Sequence, residues 1–262
     1  MNNVLVVGGT GNVGSQVVEQ LLDRGESVYV LIRSDEAKVK AIGLGAKSIY
    51  GDLLKPGTLL GVTDKIDYVV ATAASMTDEF TEGYKALILS AFMDEVEQFV
   101  FVSNHSEDGD QSISMLAAKT AIHNLLRDSG LNFTIAMFEP FMGTMKWIIE
   151  AYLQFGSFPI YVDEGVDKNA IGLHYWIEEA EVARVTAALV GNTAAHNQTI
   201  RIGGKEAYTM YEFIRRYGLE RGKPVNTVYT AQAFPGDMFY SVMIDLNRYN
   251  SPMPDEMSEF GI

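Results

Sequence analysis

The chain contains no cysteine in its 262 residues. Disulfides, thiolate nucleophiles and cysteine-ligated metals are therefore excluded. No run approaches the roughly 18 apolar residues that cross a bilayer as a helix. Basic residues are scarce: 20 Lys and Arg stand against 34 Asp and Glu, a formal net charge of −14. A nucleic-acid backbone rewards clustered Lys and Arg, so this balance argues against non-specific nucleic-acid binding and favours solubility. The four histidines are scattered, without a carboxylate at ligand spacing, and give no metal motif. No basic leader precedes the first apolar run, so no secretory signal is expected and the expected location is cytoplasmic. What is present, 47% hydrophobic and 21% charged residues, is an ordinary composition for one domain or one and a half.

The most informative stretch is Val4-Leu5-Val6-Val7-Gly8-Gly9-Thr10-Gly11-Asn12-Val13-Gly14. An apolar strand runs into a glycine-rich turn, and a helical period begins at the last glycine, with Val13, Val17, Val18, Leu21 and Leu22 on one face and Gly25 as the stop. Gly8, Gly11 and Gly14 fit a GxxGxxG variant of the dinucleotide fingerprint. In that fingerprint the glycines permit a sharp turn, close approach to a pyrophosphate and tight packing of helix on sheet. The helix N-terminus adds unpaired N–H groups and a positive dipole end for the phosphates. Ser27 to Ile32 then reads as a second strand, completing a βαβ unit of about 30 residues. At its end, where NAD sites usually place a carboxylate for the ribose 2′-OH, the chain reads Arg33-Ser34. A guanidinium and a hydroxyl suit a 2′-phosphate, so NADP(H) is preferred over NAD(H).

Strands and helices alternate through the first half, which predicts an α/β fold of Rossmann type, a doubly wound parallel sheet. Further strands are expected at Lys47 to Tyr50, Asp67 to Thr72, Gln98 to Ser103 and Asn132 to Phe138, with helices over 78–96 and 113–129. Beyond Pro140 the elements shorten and aromatics accumulate. A helix is expected over 178–190, a strand over 198–202, a helix over 209–217 and a strand over 225–230, with the last dozen residues trailing over the surface. Residues 1–137 are read as the NAD(P)-binding domain and 138–262 as a smaller substrate-side lobe that returns elements to the main sheet or stands beside it.

Taken in order, these motifs resemble the NmrA-like family of atypical short-chain dehydrogenases/reductases. The resemblance rests on Gly8 to Gly14, Val30-Leu31-Ile32-Arg33, Gly51-Asp52-Leu53, Phe99 to Ser103, Lys119, Ser129 to Ile135, Phe141-Met142, Glu181-Val182-Ala183, Ile202-Gly203-Gly204 and Gly222 to Val225. It covers most of the chain and is specific to the family, not to a substrate. The family includes NADPH-dependent reductases of quinones, dyes and aromatic ethers, and regulators that bind NAD(P) without turnover. The resemblance implies that Gly8, Thr10, Gly11, Asn12, Val13 and Gly14 hold the pyrophosphate and that Arg33 and Ser34 meet the 2′-phosphate. It also implies that Asp52 and Leu53 flank the adenine, that Ala71, Thr72 and Ala73 pass under the ribose, and that Ser103 and Asn104 lie near the nicotinamide.

The usual Tyr-x-x-x-Lys pair of such enzymes is incomplete: Met115 stands four residues before Lys119. Lys119 is left to bind the nicotinamide ribose, to act as a general base if desolvated, or to be merely solvated. His105, after Ser103-Asn104, is either a proton donor or a loop histidine among acids. His174, before Tyr175 and Trp176, either touches substrate or is a satisfied interior histidine, and His123 and His196 read as surface residues. Phe141, Met142, Trp147, Tyr175 and Trp176 either line an apolar substrate pocket or form the core of the small lobe. The expected function is NAD(P)H-dependent reduction of a quinone-like or conjugated small molecule without the usual tyrosine. The alternative is a non-enzymatic NAD(P)-binding redox sensor acting on a protein partner.

Overall fold

The computed structural model describes residues 1–73, 78–165, 172–232, 240–248 and 251–262. Its centre is a seven-stranded sheet, every pairing parallel, in the order β3-β2-β1-β4-β5-β6-β9. The strands are β1 (Asn3–Val7), β2 (Ser27–Ile32), β3 (Lys47–Tyr50), β4 (Tyr68–Ala71), β5 (Gln98–Ser103), β6 (Phe133–Phe138) and β9 (Gln198–Ile202). Strand order reverses between β1 and β4, and crevices at such switch points are where doubly wound sheets take ligands.

Helices cover both faces. Along β1, side chains alternate: Val4 and Val6 join one buried cluster with Val17, Val18 and Leu21 of α1 (Asn12–Asp23), while Leu5 and Val7 join the other. That second cluster is closed by α3 (Asp78–Met93) and α4 (Ser114–Arg127) through Tyr84, Leu87, Ile122 and Leu126. Burial of both sheet faces is why the strands read as unbroken apolar runs. Gln98, buried at the start of β5, is tolerated because Nε2 donates to Thr134 Oγ1 and the Leu189 carbonyl while Oε1 accepts from Gly191 N–H.

Residues beyond Phe138 contribute to the same sheet. β9 adds the seventh strand beside β6, and α6 (Glu179–Leu189) packs on α1. The remainder forms a third cluster from α5 (Met142–Leu153), α7 (Met210–Glu220), α8 (Tyr240–Arg248) and the parallel pair β7 (Phe158–Tyr161) with β11 (Thr227–Thr230). An antiparallel pair, β8 (Leu173–His174) with β10 (Tyr208–Thr209), completes this part. Thr209 starts α7 with a capping box to Glu212.

Three helices were not anticipated. In α2 (Asp35–Gly43) only Ala41 is buried, so no apolar face marks it in the sequence; Ser34 starts it by accepting from Ala37 N–H. The others are α5 and α8. The last residues run over the surface, where they are anchored: the half-buried Met257, Phe260 and Ile262 pack against the sheet's first cluster, and Asp255 bonds the backbone of Arg201. Among the described residues no helix is long and apolar enough to cross a membrane.

Candidate functional site

The turn after β1 is built for close approach. Gly8 has φ of +85°, a region that favours glycine, and its carbonyl accepts from Gly11 N–H at 2.9 Å. A Cβ at Gly14 would lie 2.1 Å from the Gly8 carbonyl oxygen and 2.7 Å from Thr72 Oγ1. Gly11 caps α1 without a side-chain acceptor, so Asn12, Val13 and Gly14 present backbone N–H groups at a helix N-terminus with no acidic residue in its first turn. That combination suits an anion. Thr72 lies behind the turn, its Oγ1 donating to the Val7 carbonyl.

Farther along the sheet edge, Arg33 is exposed and makes no ion pair among the described residues. Asp52 makes a turn, with Oδ1 accepting from Leu54 N–H at 3.0 Å, and Leu53 is buried under α3. Ala71 is buried, and the Ala73 carbonyl accepts from Tyr84 Oη.

Beyond the switch point lies a cavity of about 310 Å³ at the carboxyl ends of β4, β5 and β6. Thr72, Ser103 and Asn104 face it from the strand ends and Lys119 from α4; Phe141, just before α5, lines it with Met145 and Ile148 of α5, and Met243 and Leu246 line it from α8. Asn104 Oδ1 is buried with no hydrogen-bond partner among the described residues, an acceptor left for a ligand. Lys119 is partly enclosed, and burial pushes its ammonium down to about 8. No acid pairs with it among the described residues, so it is a cation that an anionic ligand would complete.

His105 also lines the cavity, yet both ring nitrogens are engaged. Arg201 NH1 lies 2.7 Å from Nδ1, and since a guanidinium only donates, Nδ1 accepts. Nε2 lies 2.5 Å from Oε1 of Glu139. Glu139 is 1% exposed and also receives Ser251 Oγ–H at 2.6 Å and Tyr175 N–H at 3.2 Å. Burial raises its pKa, but the hydrogen bonds from His105 and His174 outweigh that and hold it at about 2. His174 is interior and satisfied, with Nε2 on the Leu246 carbonyl and Nδ1 on Ser251 Oγ.

The aromatic set divides. Phe141 lines the cavity, whereas Met142 opens α5 and packs against the third cluster. Trp147 is 63% exposed and does not line the cavity. Trp176 is core: it stacks on Phe213 at 4.4 Å and its Nε1 donates to the Tyr208 carbonyl. Tyr175 is half-buried beside Gly203.

His123 corrects the surface reading. It is fully buried on the inner face of α4, one turn after Lys119, with Nε2 2.7 Å from Ser103 Oγ and Nδ1 2.7 Å from Glu107. Its i, i+4 spacing from Lys119 was the signal that marked the shared face. His196 is half-buried, its Nε2 shielded from solvent. Glu179 was also missed: buried, it caps α5 by accepting from Gly143 and Thr144 N–H. Among the described residues no group of three or more acids and histidines is placed to hold a metal ion.

A glycine turn at a switch point, beside a strand-end cavity lined by Lys119 and Asn104, defines a dinucleotide-binding protein. The profile of NAD(P)H-binding proteins matches residues 8–142. The chain belongs to this NAD(P)H-binding family. It is similar to the photosystem II assembly factor Ycf39 of Synechocystis sp., with 33% identity over 81% of this chain and 65% of that one. It is also similar to an NAD(P)H azoreductase of Xenophilus azovorans, with 26% identity over 86% of this chain and 76% of that one. The chain spans about half to two thirds of the length of Ycf39 and other relatives it matches. Its fold matches the NADPH-dependent quinone oxidoreductase QOR2 of Escherichia coli, with TM-score 0.75 and 15% identity over 94% of this chain and 88% of that one.

Proposed function

We propose that the chain is an NADPH-dependent reductase of a quinone-like or other conjugated small molecule. The observation that carries this reading is the cavity at the strand ends. It adjoins the glycine turn, has apolar walls from α5 and α8, and presents Asn104 Oδ1 and Lys119 at its polar end. The cofactor, when bound, supplies a hydride. The turn from Gly8 to Gly14 would hold its pyrophosphate, Asp52 and Leu53 its adenine, Ala71 to Ala73 its ribose, and Ser103 and Asn104 its nicotinamide end. Residues 1–137, extended by α6 and β9, form the cofactor-binding part; the rest closes over the substrate, in the cytoplasm. The azoreductase and quinone oxidoreductase likenesses support the reaction class. A flat conjugated acceptor takes hydride readily, so positioning supplies much of the rate and no tyrosine is required at Met115. Loss of NADPH absorbance across a panel of quinones and dyes tests the reading; no turnover with any acceptor overturns it.

NADP preference rests on Arg33. Arg33→Ala is expected to weaken NADPH binding roughly tenfold, as for loss of a charge-assisted bond, and NADH binding far less. Equal effects in parallel fluorescence titrations would remove the preference. Lys119→Met is expected to weaken NADPH binding by a similar factor, and the contribution of Lys119 to affinity should fade as pH rises through about 8, where its ammonium loses the proton. An unchanged variant would leave Lys119 without a role in the site.

A second reading, an NAD(P)-binding regulator that acts through a protein partner, is favoured by Met115 and by the likeness to the assembly factor Ycf39. It predicts a partner that copurifies in an NADPH-dependent manner, and it fails if NADPH and NADP+ bind alike and nothing copurifies.

A further inference from the structure

Ser103 ends β5 in the cavity wall, and behind it three groups lie in line. Its Oγ is 2.7 Å from His123 Nε2; His123 Nδ1 is 2.7 Å from Glu107 Oε1; the same oxygen accepts from Arg127 NH1 at 2.6 Å. Ser103 and His123 are buried, whereas the Glu107 side chain is 27% exposed. The line therefore runs from the cavity to solvent.

Its polarity follows from donor and acceptor inventory. Burial raises the Glu107 pKa, but hydrogen bonds from Arg127 and His123 outweigh it and hold the carboxyl below its usual value. An ionised carboxylate only accepts, so His123 Nδ1 carries the proton and Nε2 accepts from the Ser103 hydroxyl. Burial pushes His123 down to about 4, with Lys119 and Arg127 acting in the same direction and Glu107 against them. The ring of Phe101 on β5 packs edge-on to the imidazole. With its own hydrogen directed at His123, Ser103 Oγ has lone pairs to offer a hydroxyl in the cavity.

We propose that Ser103, His123 and Glu107 form a proton relay between the cavity and solvent, and that the substrate is accordingly a carbonyl–hydroxyl couple such as a quinone and its hydroquinone. This rests on the NADPH reading above. In the oxidising direction the substrate O–H bond breaks and its proton joins Ser103 Oγ. The Ser103 proton passes to Nε2, and the Nδ1 proton passes to Glu107 and then to water. The second hydrogen of the couple, the other O–H hydrogen of a hydroquinone or the carbinol C–H hydrogen of an alcohol, leaves with its electron pair as hydride to NADP+, so the substrate becomes the carbonyl form and NADP+ becomes NADPH. The oxidising step leaves the imidazole protonated at Nε2 and bare at Nδ1, and reduction starts from that tautomer: Ser103 gives its proton to the substrate oxygen, Nε2 reprotonates Ser103, and Glu107 passes a proton from water to Nδ1, which restores the arrangement seen in the structure. Ser103 would be catalytic, while His123 and Glu107 act through it.

The test uses the full chain with a benzoquinone and with a cationic triphenylmethane dye, which accepts hydride on carbon and needs no proton. Glu107→Gln keeps an acceptor for Nδ1 but cannot carry the proton. It is expected to lower kcat for the quinone about tenfold or more with KM unchanged, to flatten the quinone pH profile, and to leave dye reduction and NADPH affinity within about twofold. Ser103→Ala is expected to lower quinone kcat by roughly 10²-fold. Equal losses with both acceptors, or no loss with the quinone, would overturn the relay. A wild-type chain that binds NADPH and reduces no carbonyl acceptor also overturns it while the cofactor reading stands. Failure to bind NADPH at all overturns the reading beneath it.

Discussion

Gly14→Ala is expected to abolish measurable NADPH binding and to lower the melting temperature by roughly 5–10 °C. Two opposed terms decide the sign. Alanine is a better helix former than glycine by about 1 kcal/mol, and Gly14 lies in the first turn of α1. Against this, the new methyl would stand 2.1 Å from the Gly8 carbonyl oxygen and 2.7 Å from Thr72 Oγ1. The first neighbour is backbone, fixed by its bond to Gly11 N–H, and cannot rotate aside. Overpacking of this kind costs about 1–3 kcal/mol and more where backbone must move, which for a chain of this size shifts melting by roughly 2–4 °C per kcal/mol. The displaced turn is the proposed phosphate cradle, so binding suffers beyond stability. Thermal melting and NADPH fluorescence titration check both parts; a variant that melts and binds like the wild type would mean that the turn yields freely.

Glu139→Gln is expected to cost about 3–5 kcal/mol, because three donors converge on a buried carboxylate and a carboxamide turns an N–H toward at least one of them. The linkage is specific in pH. The carboxyl sits at about 2 in the folded chain against 4.5 as the ordinary value, so its contribution is present above 4.5 and is lost as pH falls from 4.5 through about 2. At roughly 1.4 kcal/mol per pH unit, the contribution is about 3 kcal/mol. Acid titration of unfolding free energy should show that loss in the wild type and a shallower one in Glu139→Gln. Identical acid limbs would show that the carboxylate adds nothing.

The sheet was legible because its physics is local. β1, β2, β5 and β6 are buried on both faces and read as apolar runs, and the turn at Gly8 to Gly14 announces itself by glycine spacing. What escaped depends on distant residues. The Glu139 network draws on His105, Arg201 and Ser251, which no sequence window holds together. A lone polar side chain such as His123 looks like surface in the sequence, and only the helix face it shares with Lys119 marks it as interior. The aromatics beyond Pro140 carry no period that separates pocket from core, and the structure divides them: Phe141 lines the cavity, Trp176 is core and Trp147 is exposed. α2 and α8 escaped because neither carries a long apolar stripe.

The late arrival of β9 has a consequence during synthesis. β6 is apolar and wholly buried in the finished sheet, but its outer edge stays unpaired until Gln198–Ile202 has left the ribosome. An exposed apolar edge is a template for pairing with another nascent chain, so this interval is the one in which a holding chaperone has most to protect. Once β9 docks, Asp255 occupies the backbone of Arg201 on the far side, and the new edge is covered in turn.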